Sequence, residues 1–248
     1  MKKIHVRLVG GLGNQLYQFS YAYYVYQYLN ADQIILNTSA MGNYKENWGL
    51  LLFDVIDKNR TSFVECSQYS RFLRLGRFLS FSSKFARSLG YLTDANVNIK
   101  NYPKRNDIYL DGYFEGYKLR CDYLNMLRPL LREDLFFNIP DDVVVVNVRG
   151  GEFLRHGRSS EHDKEFYLKA LSTFNERYCF WLVSDDLEYA HNLLGSSIKF
   201  DRVLEPDPFV NFRVIYSAKN KVLSKSTFSK WAGFLSSEFS NSVFLEDF

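Results

Sequence analysis

Hydrophobic and polar positions repeat with two different periods along the chain, and these periods predict strands followed by helices. Residues 4–8 alternate apolar with polar side chains, which is the period of a half-buried strand. Residues 16–26 repeat apolar side chains at helical spacing, and residues 33–36 return to a strand. A glycine-rich segment at 10–15 is predicted to be a tight loop between the first strand and the first helix.

The second half of the chain shows the same alternation more regularly. Residues 143–148 are almost continuously apolar, which is typical of a parallel strand buried on both faces. The other predicted strands lie at 107–114, where a turn follows the strand, at 180–183 and at 221–223. The predicted helices lie at 117–131, 166–174, 187–194 and 208–215, and a final helix opens in 224–229 and runs through 235. Strands that alternate with helices in this way indicate an α/β fold with parallel sheets.

A break in the pattern at Pro140-Asp141-Asp142 is the predicted domain boundary. A chain of 248 residues has the length of two small domains, here 1–140 and 141–248. The first half carries 18 basic and 12 acidic side chains, whereas the second carries 13 and 16. This difference in charge favours two modules with different partners.

Composition narrows the class of protein. With 46% apolar and 24% charged residues the chain is typical of globular proteins, which excludes fibrous and extensively disordered classes. The three cysteines form no C-x-x-C pair and no zinc-site spacing, and no apolar run approaches the roughly 18 residues of a membrane span. Because the N-terminus also lacks a signal-peptide core, the sequence predicts a cytoplasmic protein.

The basic segment at residues 71–105 leaves two interpretations open. Its arginines and lysines interleave with aromatic and leucine side chains, and Asp94 is its only acidic residue. The segment is either a basic amphipathic helix lying on an anionic membrane surface or a solvated helix whose aromatic side chains pack inward. The first interpretation would add a peripheral contact with the inner membrane.

Four polar clusters follow predicted strands, at the carboxyl ends where parallel α/β folds bind their ligands. They are Gly10–Gln15, Arg149–Phe153, Ser184–Asp186 and Ser224–Ser229. Each also has a structural interpretation, because glycine makes tight turns and Ser or Asp caps helices. Their convergence on one edge of a sheet favours a shared polar ligand.

Arg149 is the strongest single candidate for binding an anion. It ends the buried strand at 143–148, where a guanidinium is able to hold a phosphate with two hydrogen bonds. The structural alternative is an ion pair between Arg149 and Glu152. His156 lies in the polar loop that follows, and the amides near Ser226 begin a helix, which also favours phosphate.

Together these clusters resemble the α-1,2-fucosyltransferase family, glycosyltransferase family 11. Residues 10–19 are similar to its N-terminal Gly-Leu-Gly-Asn-Gln-Leu-Phe-Gln signature, and residues 111–114 to its Gly-Tyr-aromatic segment. Residues 147–153 resemble its His-x-Arg-Arg-Gly-Asp-Tyr motif, 184–186 its Ser-Asp-Asp, and 226–231 its Ser-Thr-Phe-Ser-Trp-Trp. The order and spacing agree across most of the chain.

Several positions depart from these motifs. Asn147 stands where the family has His, Gly150 replaces its second Arg, Glu152 replaces Asp and Lys230 replaces one Trp. Arg149, the arginine expected to hold phosphate, is kept. The altered motif leaves the donor sugar and the linkage open.

The resemblance implies a GT-B-like α/β fold in which two Rossmann-like parallel-sheet domains face a cleft. The first domain would take the acceptor, and the second, at 141–248, would bind the nucleotide sugar. The implied reaction is inverting transfer of L-fucose from GDP-fucose to a galactose hydroxyl in α-1,2 linkage, without a metal or other cofactor. The implied acceptor is a galactose-containing glycan, such as a lipid-linked repeat unit of a bacterial surface polysaccharide or O-antigen.

The resemblance also implies roles for single residues. Arg149 would neutralise the leaving GDP, and Glu152 and His156 are the two candidates for the base that takes the acceptor's proton. Donor contacts are expected from Gly11, Gly13, Asn14, Gln15, Asp185, Ser226, Thr227 and Phe228.

Other functions remain as alternatives of unequal weight. A transferase for a different nucleotide sugar fits the altered motif, and a non-catalytic nucleotide- or glycan-binding relative fits a lost base. A dinucleotide oxidoreductase is disfavoured, because Leu16 stands where the G-x-G-x-x-G fingerprint has its last glycine. Nucleic-acid binding is also disfavoured, because a net charge of +3 supplies little attraction for phosphate backbones.

Overall fold

Two compact units make up the chain in the computed structural model, Met1–Arg132 and Glu133–Phe248. The structure describes residues 1–41, 51–67, 88–94, 105–115, 121–151, 154, 161–236 and 241–244. Each unit is built around one parallel sheet of five strands.

The two units divide upstream of the boundary that the sequence predicts at Pro140. Leu135 is buried, and the guanidinium of Arg213 donates to its carbonyl oxygen at 3.4 Å. The backbone amide of Phe137 donates to the hydroxyl of Ser217 at 2.8 Å. These contacts hold the segment before Pro140 to the second unit, because its apolar and polar partners both lie there.

In the first unit the strands are β1 (Lys3–Arg7), β2 (Gln33–Asn37), β3 (Phe63–Cys66), β4 (Tyr91–Leu92) and β5 (Asp107–Leu110), and the helices are α1 (Leu12–Tyr28), α2 (Leu52–Val55) and α3 (Cys121–Leu127). The strand order is β3-β2-β1-β5-β4, and every pair is parallel. The order reverses direction between β1 and β5, which is where such sheets open a crevice for ligands.

In the second unit the strands are β6 (Val143–Val148), β7 (Cys179–Ser184), β8 (Arg202–Val203), β9 (Asn220–Leu223) and β10 (Asn241–Phe244), and the helices are α4 (Glu161–Leu171), α5 (Leu187–Leu194), α6 (Pro208–Ser217) and α7 (Thr227–Leu235). The order is β10-β9-β6-β7-β8, again all parallel. The direction of winding changes between β6 and β9, so the crevice of this sheet lies at the carboxyl ends of those two strands.

Burial explains why the central elements form where they do. Every residue of β6 is buried, and its β-branched valines suit a strand covered on both faces. Helix α6 begins at Pro208 behind the capping carboxylate of Asp207, as the sequence predicts. Helix α1 is buried along most of its length, including the polar side chains of Gln15 and Gln18.

The predicted α/β class with parallel sheets is confirmed, but the predicted loop at 10–15 is wrong. Helix α1 begins at Leu12, directly after its N-cap residue Gly11. Gly10 lies in the sharp turn before this helix, and its φ of +78° is accessible to glycine without strain. The four short outer strands β3, β4, β8 and β10 were not predicted from the sequence.

Within the described ranges, no helix combines the length and the apolar character needed to cross a membrane. Residues 71–87 and 95–104 lie outside those ranges. Both interpretations of the basic segment therefore stay predictions.

Candidate functional site

The carboxyl edge of the second sheet brings three charged side chains to neighbouring positions. Val146 of β6 pairs with Val222 of β9, and β7 lies on the other side of β6. The loops that follow these strands carry Arg149, Asp185 and Lys225. They meet at the point where the strand order reverses, the expected position of a ligand in this kind of sheet.

Arg149 is oriented by an ion pair with Asp185. A guanidinium nitrogen lies 2.9 Å from Asp185 Oδ2, and the two side chains are 20% and 25% exposed. The other carboxylate oxygen accepts a hydrogen bond from the amide of Gly150 at 2.9 Å. The sequence offered Glu152 as the ion-pair partner; the structure shows Asp185 in that role, and Glu152 lies outside the described residues.

Asp186 also holds the loop that follows β6. Its Oδ2 accepts from the amide of Gly151 at 3.3 Å, and its Oδ1 caps helix α5 by accepting from the amide of Tyr189 at 3.0 Å. A Cβ placed on Gly150 would lie 2.5 Å from Asp186 Cβ, and Gly151 has a φ of +49°. Both glycines are therefore required here, the first by close approach and the second by conformation.

A buried hydroxyl network lies beneath the loop between β9 and α7. Ser224 Oγ donates to Asn147 Oδ1 at 2.9 Å and lies 2.8 Å from Ser229 Oγ, while Ser229 also hydrogen-bonds Asn147. The hydroxyl of Tyr167 donates to the carbonyl oxygen of Asn147 at 2.7 Å. Burial, with a smaller contribution from the carboxylate of Asp163, raises the pKa of Tyr167 well above its ordinary value, so this phenol stays neutral.

The start of helix α7 lies at this edge. Ser226 is 4% exposed, and its hydroxyl accepts from the amide of Ser229 at 3.2 Å, which makes it the N-cap. Thr227 and Phe228 form the first turn, where backbone amides and the helix dipole favour an anion. The ring of Phe228 is half-buried and packs edge-on against Phe212 with centroids 5.6 Å apart.

Lys225 was not among the site residues predicted from the sequence. It lines one small pocket together with Arg149, Asp163 and Ser224, and its Nζ lies 3.6 Å from Asp163 Oδ1. It belongs to the Ser224–Ser229 cluster. A charged residue directly after a predicted strand is the sequence signal that would have indicated it.

The glycine-rich segment of the first unit lies at the carboxyl edge of its own sheet. Gly11 caps α1, Gly13 and Asn14 are in its first turn, and Gln15 is fully buried. The amide nitrogen of Gln15 donates to the carbonyl oxygen of Gly10 at 2.9 Å, and its oxygen accepts from two backbone amides at 51 and 52. Gln15 is thus placed to hold the turn, while the donor contacts expected of these residues stay predictions.

A second charge network at that edge was not predicted from the sequence. The guanidinium of Arg7 lies 2.6 Å from Asp111 Oδ1, and both side chains are largely buried. Asp94 accepts from the backbone amides of Tyr113 at 2.9 Å and Phe114 at 2.5 Å. These bonds hold Phe114 at a φ of +59°, in a segment that the sequence analysis singled out for its Gly-Tyr-aromatic pattern.

Both candidates for the catalytic base, Glu152 and His156, lie outside the described residues. Their assignment stays a prediction. Among the residues that are described, no group of three or more His, Cys, Asp or Glu side chains is arranged to hold a metal ion.

Comparison with known proteins gives a family match over nearly the whole chain. Residues 3–246 match the family described as Glycosyl transferase family 11. The O-antigen biosynthesis glycosyltransferase WbnK of Escherichia coli is 22% identical over 268 aligned residues, which span 92% of this chain and 88% of WbnK.

Several solved structures share the fold. NodZ, an α-1,6-fucosyltransferase soaked with GDP-fucose, matches with a TM-score of 0.58 at 9% identity over 94% of this chain and 92% of NodZ. Fucosyltransferase NodZ from Bradyrhizobium gives 0.59 at 10% identity, with the same shares covered. POFUT1 in complex with GDP gives 0.52 at 12% identity over 97% and 98%. The predicted GT-B-like α/β class, with two parallel-sheet domains, is confirmed by these matches.

Proposed function

Because this chain belongs to glycosyltransferase family 11, we propose that it transfers L-fucose from GDP-fucose to a galactose hydroxyl, with inversion and in α-1,2 linkage. The observation that carries this proposal is Arg149. Its guanidinium is held by Asp185 at the edge where the second sheet changes its winding direction, close to the start of α7. A cation and a helix N-terminus at one crevice suit the diphosphate of a nucleotide sugar.

The chemistry needs such a site. The bond from the anomeric carbon to the diphosphate oxygen breaks, and the bonding electrons leave with GDP while the acceptor hydroxyl attacks from the opposite face. Negative charge grows on the diphosphate in the transition state, so a fixed cation accelerates the reaction. The hydroxyl proton passes to a base, for which Glu152 and His156 remain our candidates.

The donor and the acceptor rest on different support. GDP-fucose is supported by the fold shared with NodZ, which was soaked with GDP-fucose, and with POFUT1, which was bound to GDP. A surface polysaccharide acceptor is supported by the similarity to an O-antigen biosynthesis glycosyltransferase. We therefore propose a galactose-containing repeat unit as the acceptor.

The decisive experiment measures release of GDP from GDP-fucose in EDTA, with and without a panel of β-galactosyl acceptors. Release stimulated by an acceptor, with an α-1,2 linkage in the product, is the expected result. Thermal stabilisation by GDP without release would retain the nucleotide site and point to another donor or a non-catalytic relative. No response to GDP or GDP-fucose would overturn the proposal.

A further inference from the structure

Lys225 is a second cation at the edge that carries Arg149. In the parallel pairing of β6 with β9, Val146 lies opposite Val222, and each cation follows its valine at the same distance along the chain. The pocket at this edge is lined by both side chains and by Ser224, which directly precedes Lys225. Both cations therefore face the same pocket.

The ammonium of Lys225 is anchored without being enclosed. Its Nζ lies 3.6 Å from Asp163 Oδ1, and the side chain is 31% exposed against 12% for Asp163. The ammonium has three N–H donors, and the contact with Asp163 Oδ1 uses only one of them. The separation exceeds the 2.9 Å of the Arg149–Asp185 contact, which leaves the lysine freer to reach a ligand.

Gly150 shows why the second cation comes from another strand. Residues 147–153 resemble a motif with two consecutive arginines, and Gly150 stands at the second of them. The space beside it is filled, because a Cβ there would lie 2.5 Å from Asp186 Cβ. A charged side chain that serves the same crevice has to be supplied by a neighbouring loop, and Lys225 stands in that loop.

We propose that Arg149 and Lys225 together bind the diphosphate of the donor nucleotide, with Lys225 taking the place of the missing second arginine. This assignment rests on the proposed function. It makes Lys225 a recognition residue for phosphate, and the nucleoside does not contact it. The same charge stabilises the diphosphate as it leaves.

The test compares Lys225→Met with Lys219→Met by calorimetric titration with GDP, guanosine and inorganic pyrophosphate. Lys219 is a matched control, because it also pairs with an aspartate, Asp141 at 2.6 Å, but precedes β9 at the opposite edge of the sheet. Loss of a charge-assisted contact predicts a roughly 10- to 100-fold weaker GDP affinity for Lys225→Met. Guanosine affinity is expected to stay within about twofold. Lys219→Met should match the wild type throughout.

Lys225→Arg keeps the positive charge. It is the control that separates loss of the charge from a folding defect in Lys225→Met. It is expected to bind GDP within several-fold of the wild type, and its thermal midpoint is recorded beside that of Lys225→Met. Equal GDP affinity in Lys225→Met and the wild type would overturn the assignment while leaving the proposed function intact. An equal loss for GDP and guanosine would also overturn it.

Pyrophosphate separates the two proposals from each other. One possible result is that pyrophosphate binding depends on Lys225 while the wild type binds GDP no more tightly than pyrophosphate. This result would support the diphosphate site and overturn the GDP-sugar function. Binding of neither probe to the wild type would overturn both.

Discussion

Neighbouring carboxylates at the end of β7 have separate tasks. Asp185 orients Arg149, whereas Asp186 caps helix α5 and accepts from Gly151. The functional and the structural interpretation of this cluster were alternatives in the sequence. Asp186 has the helix-capping role of the structural interpretation, and donor binding by Asp185 stays a prediction.

We expect Arg149→Ala to lower kcat/KM by roughly 10²–10³, about 3–4 kcal/mol, the usual loss for one donor that stabilises transition-state charge. The measurement is GDP release with the best acceptor. Arg177→Ala is the control, because Arg177 is exposed in the same unit, before β7 and away from the carboxyl edge. Activity of Arg149→Ala within a few fold of the wild type would remove Arg149 from the mechanism.

Substitution of Gly150 tests the close approach to Asp186. We expect Gly150→Ala to lower the free energy of unfolding by about 1–3 kcal/mol, because the added methyl group collides with Asp186 Cβ at 2.5 Å. Urea denaturation measures this, with exposed Ser196→Ala as the control, expected within about 0.5 kcal/mol of the wild type. Unchanged stability of Gly150→Ala would mean that the loop relaxes away from Asp186.

Helix starts determine much of the architecture around the second crevice. Side chains of Asp186, Asp207 and Ser226 cap α5, α6 and α7 in turn. Two of these caps lie at the candidate site, so helix formation and loop placement depend on the same residues there. Helix α6 contributes Phe212, which packs against Phe228 at the start of α7.

Asp207 offers a test of one cap away from the candidate site. Its Oδ1 accepts from the amide of Val210 at 2.7 Å, and we expect Asp207→Ala to cost about 1 kcal/mol of stability. Asp207→Asn retains an acceptor oxygen and is the matched control, expected near the wild type. Thermal or urea unfolding of the three proteins measures the difference, and an equal loss in both variants would show that charge, rather than capping, is responsible.

The two units share the order of their first three strands, whereas the fourth and fifth strands exchange places between the two sheets. In each, the first strand is central and the strand order reverses beside it, between β1 and β5 in one sheet and between β6 and β9 in the other. Each sheet carries a glycine-containing loop and a buried or half-buried arginine–aspartate pair at its carboxyl edge. This shared arrangement explains why polar motifs that are far apart in sequence follow strands in both halves.

Hydrogen exchange with and without GDP tests the position of the proposed nucleotide site across the chain. We expect GDP to slow exchange in the segments 148–151, 184–186 and 223–230, because ligands stabilise the elements that bind them. Exchange at 10–15 reports separately on the donor contacts predicted there. Guanosine is the control, since it lacks the phosphates that Arg149 and Lys225 are proposed to bind. Uniform protection, or none in the second unit, would contradict the assignment of the nucleotide site.

The class of fold and the places where chemistry collects could be predicted from the sequence, because both follow from local patterns. The valine run at 143–148 indicates a buried parallel strand wherever it lies in space, and ligands gather at the ends of such strands. The cap at Asp207 and the helix after it were likewise local signals. The start of α1 was misplaced, because a glycine cap leaves no side-chain signal.

The partners of each charge depended on tertiary structure. Arg149 pairs with Asp185, Lys225 joins Arg149 at one pocket, and Arg7 pairs with Asp111. Each of these contacts joins residues at the ends of adjacent strands, at positions that are distant in sequence. These contacts form only with the right strand order and register. The periodicity of apolar residues does not encode that order, because many strand orders bury the same residues equally well.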